Sequence, residues 1–209
     1  MLELFKQAEF VVFTTRDFAN ANQLSLSAAS NRLRRLVDEK FLTRITRGVW
    51  ANEGHPHFQP LACVPYLLGK EQGYVSFLTA LHLHNVISQI PGAIQVATTG
   101  RPRVINSPVG RFEFLRIKPE LMRGGVEWSA THQPYLIATG EKALFDVLYI
   151  STRKYRRFGK LPELGLTDSG FDRGEFERLL SNSPLPVRIR SAMQERWQRL
   201  AALAAELPG

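Results

Sequence analysis

The sequence predicts an α+β protein, and three observations support this fold class. Apolar side chains recur at helical spacing through residues 28–40, and the period then changes to two in residues 43–46. Four strand-like runs follow one another between residues 93 and 138 with no helix between them. We therefore expect a mostly helical N-terminal part, followed by a mixed α/β part with an antiparallel-leaning sheet.

The composition is typical of a folded protein that has an anionic partner. The chain has 209 residues, of which 44% are hydrophobic, and its formal net charge is +8. Such a charge favours nucleic acid or anionic lipid as a partner. The single cysteine, Cys63, cannot form an internal disulfide. No apolar run reaches the ~20 residues of a membrane span, and the acidic start does not resemble a signal peptide. These features predict a soluble cytoplasmic protein with no membrane partner.

The segment NEGHPHFQP, residues 52–60, predicts a domain boundary. Its prolines, glycine and polar side chains interrupt the apolar periodicity on either side. We expect one domain at residues 1–53 and a second at 60–209. Residues 156–174 are also rich in glycine, proline and charge, and we expect them to form a surface connection within the second domain.

Residues 1–53 are predicted to contain three helices and a hairpin. The predicted segments are helix 2–10, helix 16–23 with Thr15 as its N-cap, helix 28–40 with Ser27 as its N-cap, and strands 43–46 and 49–51. Hydroxyl side chains suit the N-cap because they accept from amides that lack an intrahelical partner. Gly48 tolerates positive φ and favours a turn between the two strands. This order of elements predicts a winged helix-turn-helix domain.

The third predicted helix has one apolar face and one polar, basic face. Ala29, Leu33, Leu36 and Val37 share a narrow arc, which we expect to be buried. On the other side, Asn can pair with adenine, Arg can pair with guanine, and flanking cations can contact phosphates. The candidate DNA-binding residues are Ser27, Ala28, Asn31, Arg32, Arg34, Arg35, Arg44 and Arg47. The alternative is a solvated basic face on a unit that binds protein.

The second domain is predicted to mix helices and strands. The predicted helices are 60–68, 76–88 with Ser76 as its N-cap, 141–151 with Thr139, 174–182 with Asp172, and 187–207. The predicted strands are 93–99, 111–118, 126–130 and 135–138. Because these strands lie close together in sequence, we expect the sheet to lean towards antiparallel pairing.

The sequence predicts neither a catalytic nor a metal site, and no cofactor. His82 and His84 lie two residues apart on a predicted helix and therefore point about 200° apart. His55 and His57 lack a third ligand nearby in sequence. The phosphate-binding motif GxxxxGK[ST], the hydrolase motif GxSxG and the metalloprotease motif HExxH are absent. The basic and aromatic segment 153–160 is expected to be a solvated loop rather than a binding site for single-stranded nucleic acid.

Several segments together resemble the AbiEi-like antitoxins of abortive-infection type IV toxin–antitoxin systems. The resemblance runs from Ser25 to Gly174 and rests on LRRLVDEKFLTRITRGVWA, YVSFLTALHLHNVISQIP, IQVATT, GRFEFLRIKPELMRGG and IATGEKALFDVLYIS. It implies a winged-helix head that binds repeats in its own promoter, with Ser27, Asn31, Arg34, Arg35, Arg44 and Arg47 at its DNA-facing positions. It also implies an α/β antitoxin domain from about residue 60 that counters a nucleotidyltransferase-like toxin. Asn85 and Gly140 stand where the family usually has Gly and Pro.

The sequence therefore favours a DNA-binding antitoxin that represses its own operon and is not an enzyme. A homodimer on DNA is compatible with this function. Two alternatives remain open at this stage. One is a nucleic-acid-processing enzyme that uses Glu141, Lys142 and Asp146. The other is a regulator whose second domain senses a small ligand.

Overall fold

The computed structural model describes residues 10–153, 157–167 and 169–206, which form an α+β fold. The described residues contain seven α-helices and nine strands, and the strands form a three-stranded and a six-stranded sheet. The α+β class is therefore confirmed. The helix predicted at 2–10 lies, except for Phe10, outside the described residues, as do residues 154–156 of the basic segment.

The first part of the fold, residues 10–51, is here called the head. Its elements are β1 (Val12–Thr14), α1 (Thr15–Ala21), α2 (Leu26–Asp38), β2 (Thr43–Thr46) and β3 (Val49–Ala51). β3 lies between β1 and β2 and is antiparallel to both. β1 was not predicted from the sequence, because its short apolar run shows no alternation.

The first helix of the head begins one residue earlier than predicted. Thr14 is the N-cap of α1: its hydroxyl accepts from the Asp17 amide, and the Asp17 carboxylate accepts from the Thr14 amide at 2.8 Å. This reciprocal pair is a capping box. Thr15, the predicted cap, instead accepts a hydrogen bond at 2.8 Å from the indole nitrogen of Trp50. That bond ties the start of α1 to β3.

The second part of the fold is built on the six-stranded sheet. Its strands are β4 (Gly73–Val75), β5 (Ile94–Thr98), β6 (Arg103–Ser107), β7 (Gly110–Arg116), β8 (Val126–Trp128) and β9 (Leu136–Ala138). The order across the sheet is β6-β7-β5-β4-β9-β8. Three neighbouring pairs are antiparallel, whereas β5–β7 and β4–β9 are parallel. The sheet is therefore mixed, and neither β4 nor β6 was predicted.

Helices of the second part pack on this sheet. They are α3 (Val64–Leu68), which follows a 3₁₀ turn at Pro60–Cys63, α4 (Phe77–Leu83), α5 (Gly140–Ser151), α6 (Arg173–Ser181) and α7 (Val187–Glu206). The predicted caps Thr139 and Asp172 are confirmed, since each side chain accepts from the amide three residues on. α5 is buried along most of its length and forms the centre of the large core.

The helix predicted at 76–88 is shorter than expected. α4 ends at Leu83, and Asn85 adopts φ of 58°, a left-handed conformation that ends the helix. Asn tolerates this conformation better than most residues that carry a side chain. Ser76 occupies the N-cap position but makes no capping hydrogen bond there. Its hydroxyl donates to the Asp146 carboxylate instead, at 2.8 Å.

The head and the second part are packed together through β1. The Val12 amide donates to Oε1 of Gln133 at 3.0 Å, and Nε2 of Gln133 donates to the Val12 carbonyl at 3.1 Å. Val11, Ile45 and Val49 of the head belong to the same buried cluster as the core of the second part. Burial of each such side chain stabilises the fold by about 1.5–3 kcal/mol relative to an exposed side chain.

Candidate nucleic-acid interface

The helix α2 starts at an N-cap different from the predicted one. The Ser25 hydroxyl accepts from the Ala28 amide at 3.2 Å, so Ser25 is the cap. Ser27 lies in the first turn of the helix with its side chain exposed. The prediction of Ser27 as the cap was therefore wrong. Both serines lie in the repeat LSLS, and hydroxyl chemistry alone does not distinguish them.

The apolar face of α2 is buried in the head. Ala29, Leu33 and Leu36 are buried, and Val37 packs against them at the margin. Their partners are aromatic and aliphatic side chains from α1, β1, β3 and the segments before β1 and after α2, namely Phe10, Phe13, Phe18, Ala19, Leu42 and Trp50. The predicted apolar stripe is therefore confirmed. Its burial fixes which face of α2 is turned towards solvent.

The opposite face of α2 is open to solvent. The exposed side chains include Ser27, Ala28, Asn31, Arg34 and Arg35, whereas Arg32 is half-buried. Arg34 donates to the Ser30 hydroxyl at 3.3 Å, a contact within the helix that was not predicted. The face thus combines an amide, which can pair with adenine, and guanidinium groups, which can pair with guanine or contact phosphates.

Two further predicted arginines lie on the β2–β3 hairpin. Arg44 is exposed on β2; its guanidinium lies 5.7 Å from the centre of the Trp50 ring, and its Nε donates to the Thr46 carbonyl at 3.4 Å. Arg47 is exposed in the turn, beside Gly48 with φ of +80°. The positive φ explains why glycine suits this turn. Trp50 was not predicted as a support for Arg44, because its contact depends on strand pairing.

The predicted interface is electrostatically positive. Within residues 10–153, 157–167 and 169–206, the ion pairs do not involve Arg32, Arg34, Arg35, Arg44 or Arg47. The first turn of α2 carries no acidic residue, and Asp38 and Glu39 lie at its C-terminal end. The positive end of the helix dipole lies at the start of α2, near Ser27 and Ala28, whereas Arg35 lies in the last turn of the helix.

The polar residues weighed as an enzymatic alternative are divided between two environments. Lys142 and Asp146 form a buried ion pair one turn apart on α5, with side-chain exposures of 2% and 0%. Tyr74 and Ser76 both donate to the second oxygen of Asp146, at 2.9 and 2.8 Å. Burial and the nearby Asp146 carboxylate raise the pKa of Tyr74 well above its usual value. This network joins α5 to β4 and to the start of α4.

Glu141 lies apart from this buried network. Its carboxylate accepts from the Asp172 amide at 2.8 Å, at the start of α6. Glu141 and Asp146 therefore do not share one environment, in agreement with their five-residue spacing on a helix.

Arg153 and Arg157, from the basic segment, both contact other residues of the second part. Arg153 donates to the Arg116 carbonyl at 3.3 Å, and Arg157 pairs with Glu113.

The histidines contact backbone groups or one another. His82 and His84 lie near different carbonyls, those of Ile87 at 3.4 Å and Ala138 at 2.8 Å. The ring of His57 lies 3.4 Å from that of His132 and 5.4 Å from that of His55, measured between centroids. Desolvation, and then the proximity of these two imidazoles, lowers the pKa of His57. Across the described chain, no group of three or more His, Cys, Asp or Glu side chains could hold a metal ion.

Comparison with known proteins does not assign the chain to a family. No family model matches the sequence, and no curated protein matches it. Among the helices of the described residues, none is both long and apolar enough to span a bilayer.

Proposed function

We propose that the chain is a sequence-specific protein that binds double-stranded DNA, with α2 entering the major groove. The observation that carries this proposal is the solvent-exposed face of α2, which presents Asn31 and Arg35 together with Arg34. Asn and Arg are the side chains best suited to bidentate contacts with adenine and guanine. The buried face of the same helix is held in the head core, so the base-reading face has a fixed orientation.

In this proposal the head is a winged helix-turn-helix domain. The order of α1, a short turn and α2, followed by the β2–β3 hairpin, supports this interpretation. The hairpin then acts as the wing, with Arg47 at its tip and Arg44 on its first strand. Both side chains are exposed. They are expected to contact phosphates beside the groove that α2 occupies.

Phosphate neutralisation predicts a steep salt dependence. If about six phosphates are contacted, the logarithm of the association constant falls against the logarithm of the salt concentration with a slope near −5. A gel-shift titration on the DNA upstream of the chain's own gene, repeated at several salt concentrations, measures this slope. Equal affinity for scrambled DNA of the same length would argue against sequence-specific binding.

Two arginine variants separate base reading from phosphate contact. Arg35→Ala is expected to cost about 1–3 kcal/mol of discrimination at one base position. Arg47→Ala is expected to weaken binding to all sequences alike and to reduce the salt slope by about one. Arg101→Ala is the matched control, since it removes an exposed arginine of the second part. An unchanged sequence profile for Arg35→Ala would remove Arg35 from the base-reading set.

We further propose that the chain is an AbiEi-like antitoxin that represses its own operon and counters a nucleotidyltransferase-like toxin. This part rests on the sequence resemblance. The nucleotidyltransferase-like gene from the neighbouring reading frame should arrest growth when it is expressed alone. Co-expression of the chain should restore growth. Arg35→Ala should lose repression of a promoter reporter but retain protection. Growth arrest that persists with the unaltered chain present would contradict the antitoxin function.

The chain is further proposed to bind a twofold-symmetric repeat as a homodimer. The stoichiometry of the protein–DNA complex tests this.

A further inference from the structure

A cleft in the second part has the features of a ligand site. It has a volume of about 310 Å³ and lies between α5, α6 and the 3₁₀ turn at Pro119–Leu121. This volume is at the lower end of the range for small-molecule sites. The charged side chains that line it are Glu120, Arg123, Lys142, Glu175 and Arg178. The cleft is remote in sequence from the head and takes no part in the proposed DNA interface.

Two arginines and two glutamates line the cleft, and one of the arginines has no ion-pair partner within the described residues. Arg123 is exposed and is not part of an ion pair within the described residues. Arg178 pairs with Glu175 at 2.8 Å, but both side chains are largely exposed, at 67% and 41%. Exposed pairs of this kind contribute little to stability, so Arg178 can exchange its partner. Glu120 is paired with Lys118 at 3.4 Å.

The floor of the cleft is polar and held in place. Lys142 lines it with only 2% of its side chain exposed, and Asp146 neutralises its charge. Gly125 packs directly over Lys142, since a Cβ at this glycine would lie 2.7 Å from the Lys142 Cβ. Gly125 also has φ of +64°, which disfavours a larger residue. A side chain at position 125 would therefore press on Lys142.

The rest of the lining is apolar or neutral. Leu121, Phe145 and Leu179 provide hydrophobic contact, and Asn182 and Ser183 provide neutral polar groups. A few charged groups placed in a partly apolar cleft are typical of sites for small organic ligands. Guanidinium groups in turn bind carboxylate and phosphate oxygens with paired hydrogen bonds.

We propose that this cleft binds a small organic anion whose carboxylate or phosphate group is held by Arg123 and Arg178. The site is independent of the proposed DNA binding and would remain if α2 bound no DNA. It gives the second part a ligand-sensing capacity. Carboxylates and phosphates are recognised by arginine through the same hydrogen bonds. Probes of both kinds are therefore needed to distinguish which group the cleft binds.

The test is isothermal titration calorimetry of the full chain with citrate and with pyrophosphate as probes. Saturable binding of either probe is expected, and the probe that binds identifies the oxyanion. Arg123→Gln and Arg178→Gln should each weaken binding about tenfold or more, because each removes charged hydrogen bonds. Both residues are exposed, so the fold should be retained, and melting curves check this.

Arg101→Gln is the matched control, since it removes an exposed arginine outside the cleft. It should leave probe affinity unchanged. Failure of both probes to bind, or equal affinity in Arg123→Gln, Arg178→Gln and the unaltered chain, would overturn the proposal. Equal weakening by Arg101→Gln would overturn it as well, because the probe would then respond only to net charge.

Discussion

Removing one partner of the buried Lys142–Asp146 pair should destabilise the protein strongly. Asp146→Leu leaves the Lys142 ammonium without its carboxylate at a position only 2% exposed. It also removes the acceptor of the Tyr74 and Ser76 hydroxyl groups. Breaking a buried ion pair by removing one partner costs about 3–5 kcal/mol in total. We therefore expect a loss of about 4 kcal/mol in the free energy of unfolding.

The double variant Lys142→Met/Asp146→Leu should be less damaged than Asp146→Leu alone. It removes both charges and leaves two hydroxyl groups without their acceptor, at about 1 kcal/mol each. The expected loss is therefore about 2 kcal/mol, although two residues have been changed. The losses in the free energy of unfolding caused by Lys142→Met alone and by Asp146→Leu alone should add up to more than the loss in the double variant. The difference should be at least about 2 kcal/mol.

Urea unfolding followed by circular dichroism measures all four members of this cycle. For a chain of this size, a loss of 4 kcal/mol also lowers the melting temperature by about 8–16 °C. Glu141→Gln is a control on the same helix, because Glu141 lies outside the buried pair and contacts the Asp172 amide. Strictly additive losses would refute the physical coupling between Lys142 and Asp146.

Two other properties of the fold can be measured directly. Burial raises the pKa of the Cys63 thiol to about 12, so Cys63 should react with a thiol reagent at pH 8 only after unfolding. Rapid labelling of the native chain would contradict this burial. Desolvation and the adjacent His132 and His55 lower the pKa of His57, so its NMR titration midpoint should lie below 6.5. Because the folded state then binds fewer protons than the unfolded state, His57 lowers the free energy of unfolding as the pH falls below 6.5. Above pH 6.5 it has no such effect. A midpoint at or above 6.5 would contradict the clustering of the three rings.

Much of the helical structure could be predicted because it depends on local patterns. The apolar stripe of α2 and the caps Thr139 and Asp172 are set by residues within one or two turns. The N-caps of α1 and α2 were misplaced where hydroxyl residues occur close together, at Thr14 and Thr15 and at Ser25 and Ser27. There the capping residue is chosen by contacts elsewhere, such as the bond between Thr15 and Trp50.

The strands that were missed depend on distant partners. β1 pairs with β3 across the length of the head. Its successive residues Val12 and Phe13 are both buried, which removes the alternation that marks a strand. β4 is short and begins at Gly73, whose backbone lies against Leu68 and Ala97. A single sequence contains no local signal for such pairings.

The candidate interface was easier to predict than the buried polar network. A helix with one apolar stripe has its opposite face exposed, so the solvent-facing position of Asn31 and Arg35 follows from spacing alone. The four-residue spacing of Lys142 and Asp146 likewise places them on one face of α5. That this face is turned into the core depends on packing against β4 and α4, which spacing does not reveal.

The sharing of one core by the head and the second part limits how the chain can be divided. A fragment that stops near residue 53 would leave Val11, Ile45 and Val49 uncovered and would lose the amide clamp from Gln133. Such a fragment would tend to aggregate through this apolar surface. If α2 binds a DNA duplex, the second part is held in a fixed orientation beside the DNA. The spacing tolerated between two half-sites would then be dictated by rigid protein geometry.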